Sequence, residues 1–139
     1  MTGVDLADTF AGFALFADLP RHRLEALAHT FEEEWFAAGQ RVVRQGFGGA
    51  GFYVILEGEA VVSVDGRERA RLGRGDFFGE LSVLLEEPPA ADVTAASALR
   101  CATLAGPHLQ DVLLDYPSIS LRMLQAELRR LRASNQWQA

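Results

Sequence analysis

The sequence predicts a mainly β domain with helices at both ends, in which short strands form a jelly-roll-like β-roll. Three observations carry this prediction: helical apolar spacing near the N-terminus, alternating residues with turn signals through the middle, and helical spacing again after Pro107. We expect one domain, 1–139, with N-terminal helices in 1–30, the β-roll in 31–105 and C-terminal helices in 107–136.

The composition excludes several classes of protein. The 139 residues are 49% hydrophobic, which suffices for one core, and the formal net charge is -6. Cys101 is the only cysteine, which excludes a disulfide framework and fits a reducing compartment. The acidic balance argues against binding of DNA by this chain alone. With no signal peptide and no membrane-spanning stretch, we expect a cytoplasmic location and no membrane contact.

The N-terminal part shows helical spacing from Asp5 to about Ala17, and then from Pro20 to Thr30. One apolar stripe of the second segment contains Leu24, Leu27, Ala28 and Phe31. Pro20 suits the first turn of a helix. We therefore predict two helical segments before the strands begin.

The middle of the chain alternates between short strands and turns. The predicted strands are Phe31–Phe36, Arg41–Arg44, Gly51–Leu56, Glu59–Val64, Arg67–Leu72, Ala91–Ser97 and Leu99–Leu104. Asp65-Gly66 predicts a two-residue hairpin, because both turn positions need a positive φ. Gly46-x-Gly48-x-x-Gly51 resembles a dinucleotide fingerprint, but a strand follows it where that motif requires a helix, so a hairpin loop is predicted.

The C-terminal part predicts a short helix, His108–Leu114, which ends at Tyr116-Pro117, and a last helix from Ser118 to about Gln136. An apolar seam on the last helix has spacings of three, four and three, and consists of Leu121, Leu124, Leu128 and Leu131. The seam either packs onto the chain's own β-roll or forms a homodimer, and the sequence leaves both alternatives open.

No catalytic constellation is found, so we predict that the chain is not an enzyme and holds no cofactor. A metal site in a jelly roll needs histidines on strands, whereas the three histidines, His22, His29 and His108, all fall on helical segments. Cys101 lies in an apolar strand with alternating residues, and this pattern predicts a buried small side chain. Ser82 lacks the glycines of a nucleophile elbow.

The segment 77–93 is the best candidate for a ligand site. It begins as a strand, bends at Gly79, makes about one helical turn and returns through Pro88-Pro89 to a strand. The free N–H groups of such a turn can hold an anion, while Glu80 can accept hydrogen bonds from a ligand hydroxyl. A sugar phosphate offers both groups. Alternatively, Glu80 only complements the dipole of the helical turn.

Several motifs in this order resemble the cyclic nucleotide-binding domain family, which includes catabolite-activator-type regulators and protein kinase A regulatory subunits. The first helices are similar in Leu15-Phe16-Ala17-Asp18-Leu19, and the best-known strand in Phe52-Tyr53-Val54-Ile55-Leu56-Glu57-Gly58. The entry to the phosphate-binding cassette is similar in Leu72-Gly73-Arg74-Gly75-Asp76-Phe77-Phe78-Gly79-Glu80-Leu81-Ser82. The cassette itself is expected to consist of Gly79, Glu80, Leu81, Ser82, Pro89, Ala90 and Ala91. The resemblance covers about residues 10–131.

The resemblance implies a β-roll whose ligand pocket is roofed by the last helix. In the family, the residue matching Glu80 binds the ribose 2′-hydroxyl, and backbone groups at Gly79, Leu81 and Ala91 also contact the ligand. An Arg nine residues after the Glu pairs with the cyclic phosphate, and a Ser, Thr or Ala follows it. This chain has Pro89 and then Ala90 at those positions, and no Arg or Lys lies between Arg74 and Arg100.

The resemblance further implies base contacts from the last helix, where Ser134 and Asn135 fall. Trp137 could form an aromatic lid, but a frayed terminus is the default expectation there. Loss of the Arg removes one partner of a buried charge pair, which costs roughly 2–5 kcal/mol of binding free energy. We therefore predict a regulatory sensor that binds cyclic AMP or cyclic GMP weakly, or a related small ligand. The alternative is a ligand-free adaptor that uses the same fold for dimerisation.

Overall fold

The computed structural model describes residues 3–48 and 51–138, in which five α-helices flank and interrupt eight strands. The helices are α1 (Gly3–Phe10), α2 (Arg21–Ala28), α3 (Glu80–Leu85), α4 (Gly106–Asp115) and α5 (Pro117–Gln138), with one 3-10 turn, Ala14–Phe16. The strands are β1 (Glu32–Phe36), β2 (Arg41–Val43), β3 (Gly51–Glu57), β4 (Ala60–Val64), β5 (Arg67–Leu72), β6 (Phe77–Phe78), β7 (Asp92–Ala95) and β8 (Leu99–Ala105).

The strands form two four-stranded antiparallel sheets, which confirms the predicted mainly β fold with flanking helices. Their orders are β1-β8-β3-β6 and β2-β7-β4-β5. The hairpin between β4 and β5 turns at Asp65 and Gly66, whose φ angles of 52° and 78° are both positive, as this turn type requires. The glycine-rich loop that ends at Gly51 leads into β3, a strand, as predicted. The prediction of a hairpin loop is wrong, because β2 and β3 belong to different sheets.

The prediction of one helical segment from Asp5 to about Ala17 is wrong in its extent. Helix α1 ends at Phe10, and Phe13 is extended, with φ -99° and ψ 137°. This break folds the chain back so that the Phe16 ring stacks on Phe10 with 4.3 Å between centroids. The Phe31 ring meets Phe10 edge-on at 5.1 Å. Burial of these aromatic rings outweighs the local preference for a longer helix.

Strand β3 is buried on both faces and separates two apolar clusters. Phe52, Val54 and Leu56 face the cluster that the N- and C-terminal helices share. Ile55 faces the interior of the β-roll, where it joins Cys101. Burial raises the pKa of the Cys101 thiol to about 12, so this free cysteine is an apolar core residue, as predicted.

Helix α5 packs on the domain through Ile119 and Met123, both buried, and through an ion pair of Arg122 with Asp18 at 2.8 Å. The leucine seam lies on another face, and its four side chains are 54–57% exposed. The alternative that the seam packs onto the chain's own β-roll is therefore wrong. None of the helices in the described part of the chain has the length and apolar character of a membrane span.

Candidate functional site

The candidate site is built where β6 passes through Gly79 into α3. Gly79 has a φ of 93°, and a Cβ at this position would lie 2.1 Å from the Gly51 carbonyl oxygen. Only glycine fits both the left-handed backbone and this close approach to β3. Gly79 therefore fixes the direction in which the first residue of α3 enters the domain.

The first residue of α3, Glu80, points its carboxylate into the protein. Its exposed fraction is 2%, which is rare for a glutamate. Its Oε1 accepts a hydrogen bond from Arg130 Nη1 at 3.1 Å. Its Oε2 is buried and has no hydrogen-bond partner among the described residues. A buried acceptor without a partner is costly, so Oε2 is the atom of this site that is best prepared for a donor from a ligand.

Arg130 ties helix α5 to the site. Its Nη1 also lies 3.2 Å from Glu127 Oε1, and its Nη2 donates to the Phe77 carbonyl oxygen at 2.6 Å. The guanidinium stacks over the Phe77 ring, 4.4 Å from the centroid. One side chain of α5 thus contacts β6, α3 and its own helix. A change at Glu80 therefore acts directly on α5.

Two carboxyl groups, Glu80 and Glu127, compete for this one guanidinium. Burial, followed by hydrogen bonding and repulsion from Glu127, raises the pKa of Glu80 from 4.5 to about 8. The positive charge of Arg130 opposes this rise but does not cancel it. The pKa of Glu80 is therefore raised in the ligand-free domain, and a ligand group that donates to the carboxylate would lower it again.

The other residues of the predicted cassette follow Gly79 and Glu80 in the same segment of the chain. The Ser82 hydroxyl donates to the Gly79 carbonyl oxygen at 3.3 Å, and the Pro89 carbonyl oxygen accepts from the Gly46 N–H at 2.8 Å. Leu81 is 50% exposed. Ala90 is exposed, and Ala91 is half-buried just before β7.

The predicted base contacts lie on α5. Ser134 and Asn135 are exposed near the end of α5. The side chain of Trp137 lies outside the part of the chain that the structure describes.

An open groove of about 410 Å³ runs between α3, the two prolines Pro88 and Pro89, and the start of α4. Glu86 and Glu87 line this groove, and its described lining contains no cation.

The described residues contain no cluster of three or more His, Cys, Asp or Glu side chains that could hold a metal ion. The three histidines, His22, His29 and His108, lie on α2, at its C-terminal end and on α4 respectively, and all are exposed.

Comparison with known proteins identifies the family. The family profile described as "Cyclic nucleotide-binding domain" matches residues 33–116, more than half of the chain. This chain belongs to the cyclic nucleotide-binding domain family. The site described above lies within the matched residues, apart from the Glu127 and Arg130 contributed by α5.

Relatives of this cyclic nucleotide-binding domain are regulatory proteins and kinases. A cGMP-dependent protein kinase of Toxoplasma gondii is 31% identical over 117 residues, which cover 84% of this chain and 12% of that protein. A cAMP-dependent protein kinase regulatory subunit of Mucor circinelloides f. lusitanicus is 39% identical over 94 residues, 65% of this chain and 22% of that protein. The domain therefore spans less than a quarter of these relatives.

A solved structure has the same fold. The regulatory domain of Toxoplasma gondii PKA with cAMP is 26% identical and has a TM-score of 0.79, and the match covers 90% of this chain and 49% of that one. This likeness confirms the predicted β-roll with flanking helices.

Arg130 is not among the site residues that the sequence of this cyclic nucleotide-binding domain predicts, although it contacts Glu80 directly. Arg122 contacts Asp18 of the domain, and Glu127 and Arg130 contact the site. The sequence does indicate the contact between Glu127 and Arg130, because the two residues are three apart on a helix. The contact with Glu80, fifty residues away, depends on how α5 packs.

Proposed function

We propose that this domain is a non-catalytic regulatory sensor in which a small ligand binds at Glu80 and helix α5 reports its presence. One observation carries the proposal: buried Glu80 has one oxygen held by Arg130 of α5 and another without a partner among the described residues. A ligand hydroxyl that donates to Glu80 Oε2 satisfies the second oxygen. It also changes the contact that holds α5.

The coupling follows from competition for one carboxylate. Without ligand, Arg130 links Glu80, Glu127 and the Phe77 carbonyl. A donor that binds Glu80 redistributes these hydrogen bonds, so Arg130 and the turn of α5 around it must adjust. Ligand affinity and the position of α5 are then thermodynamically linked.

We propose the cytoplasm as the location of this domain. The free, buried thiol of Cys101 is compatible with a reducing compartment.

A cyclic nucleotide is the first ligand to test, because a related regulatory domain was solved with cAMP. Cyclic AMP and cyclic GMP would bind weakly here, since Pro89 stands where the family resemblance places the phosphate-binding Arg. Backbone groups of Gly79, Leu81 and Ala91 are proposed to contact the ligand, with Ser82 and Ala90 beside them. We keep Ser134 and Asn135 as proposed base contacts.

The Pro89→Arg variant tests this proposal. We expect it to bind cyclic AMP at least tenfold more tightly than the wild type, which corresponds to about 1.4 kcal/mol, because it restores a cation to the cassette. Isothermal titration calorimetry with cyclic AMP and cyclic GMP up to millimolar concentration measures the effect. Pro88→Arg is the matched control, since it adds the same charge one residue away. An equal gain in both variants, or none in either, would contradict the assignment.

A second candidate function is homodimerisation through the leucine seam. The four exposed leucines favour it, because such a row rarely stays in contact with water. In a parallel pair of α5 helices, Leu121, Leu124, Leu128 and Leu131 would occupy the a and d positions. Glu127 would then face Arg132 of the second copy, and Asn135 would fall at the next a position, which favours a two-stranded register.

The double variant Leu124→Asp/Leu128→Asp tests the seam. We expect it to be monomeric while the wild type is a dimer, because charges replace two central apolar contacts. Multi-angle light scattering measures the mass of both proteins. Leu114→Asp is the matched control, since Leu114 on α4 is 80% exposed and lies outside the seam. A monomeric wild type, or a double variant that stays dimeric, would exclude this interface.

A further inference from the structure

We infer that the ligand of this domain is a neutral molecule with vicinal hydroxyl groups, of the ribonucleoside class, in preference to a phosphodiester. The inference rests on the proposed function, because it concerns the same site at Glu80. It goes further in assigning the chemical class of the ligand.

The charge of the cassette is the first reason. Residues 75–99 contain Asp76, Glu80, Glu86, Glu87 and Asp92 but no Arg or Lys. The groove beside α3 is lined by two of these glutamates. A phosphodiester would bring its negative charge into this acidic surrounding without a cation of the cassette to pair with.

Helix α3 does not compensate for the missing cation. It is six residues long and opens with Glu80, whose acidic side chain already lies at the positive end of the helix. The residue before the helix, Gly79, contributes backbone groups but no cationic side chain. The cassette of this chain therefore offers an anion neither a guanidinium nor a substantial helix dipole.

The arginines around the cassette are already engaged. Arg130 contacts Glu80, Glu127 and the Phe77 carbonyl oxygen. Arg74 donates to the Leu56 carbonyl oxygen at 2.7 Å. Arg44, on the loop that meets Pro89, stacks over the Phe47 ring at 5.0 Å. A phosphate that pairs with Arg130 or Arg74 would compete with these hydrogen bonds.

Glu80 favours a ligand that carries hydroxyl groups. Its side chain is almost fully buried, and its Oε2 has no partner among the residues that the structure describes. An O–H donor satisfies this acceptor without adding charge to an acidic site. Two adjacent hydroxyls match the deprotonated carboxylate, because its two oxygens can each accept one of them once the proton of Glu80 has left and Arg130 yields Oε1. Ribose carries such a pair when its 3′-oxygen is not esterified.

Calorimetric titration of the full chain with adenosine, 2′-deoxyadenosine and cyclic AMP tests the inference. We expect adenosine to bind at least tenfold more tightly than cyclic AMP, because it lacks the phosphate and retains both hydroxyls. We expect 2′-deoxyadenosine to lose at least tenfold relative to adenosine. In Pro89→Arg the preference should move toward cyclic AMP.

The outcomes separate this inference from the proposed function. Tighter binding of cyclic AMP than of adenosine in the wild type would overturn the neutral-ligand inference and leave the sensor proposal standing. No heat from any of the three compounds, with a folded protein by circular dichroism, would overturn both. Glu80→Gln is the site control, and adenosine binding that is unchanged in this variant would overturn the assignment to Glu80.

Discussion

Replacing Gly79 with alanine is expected to lower the free energy of unfolding by about 2–5 kcal/mol, enough to unfold a domain of marginal stability. Two costs add at this position. The φ of 93° is strained for any residue with a Cβ, and that Cβ would lie 2.1 Å from the Gly51 carbonyl oxygen. Either β3 or the start of α3 must move, and Glu80 would move with it.

Gly66→Ala is the matched control for this prediction. Gly66 has a similar φ of 78°, but a Cβ there would meet nothing within 4 Å in the described part of the chain. Only the backbone strain of about 1–2 kcal/mol should appear. Urea unfolding followed by circular dichroism compares the two variants. Equal losses of stability would show that the approach of Gly79 to Gly51 is not a structural requirement.

Stability should fall as the pH rises from about 5 to 8, by at most about 1.4 kcal/mol per pH unit. The pKa of Glu80 is raised to about 8 in the folded domain, so the folded state keeps a proton that the unfolded chain has already released. A group with a raised folded pKa contributes its stability at low pH and loses it toward the folded pKa. Urea unfolding at each pH measures this dependence.

Other shifted groups titrate mainly outside this pH interval. The pKa values of Asp18 and Glu33 are lowered by their arginine partners, so their contributions are lost only as the solution becomes more acidic. Cys101 titrates at higher pH. In Glu80→Gln, which imitates the protonated carboxyl, the decline should largely disappear. A decline that persists unchanged in this variant would place its origin elsewhere.

The strands could be predicted because their signals are local. Alternation and turn residues such as Asp65-Gly66 depend on the chain itself, and this hairpin forms where the sequence placed it. The end of α1 could not be predicted in the same way. It depends on stacking between Phe10 and Phe16, which exists only after the chain has folded back.

The site was accessible from the sequence only in part. Glu80 stands out as an acidic residue behind a glycine bend, but its burial and the contact with Arg130 depend on the orientation of α5. Two stripes compete on that helix. The leucine seam is the more apolar one, yet the stripe that packs holds Ile119, Met123, Ala126 and Arg130 at spacings of four, three and four. The fit of the Ile119 and Met123 side chains into the core and the ion pair of Arg130 with Glu80 favour this second stripe.

We expect α5 to respond to ligand through the contact between Arg130 and Glu80. Amide hydrogen exchange of residues 127–133, with and without millimolar adenosine or cyclic AMP, tests it most directly. We expect ligand to change the exchange rates of this segment severalfold in the wild type and to leave them nearly unchanged in Arg130→Gln. Binding that is detected by calorimetry but leaves the exchange of α5 unchanged in the wild type would contradict the claim.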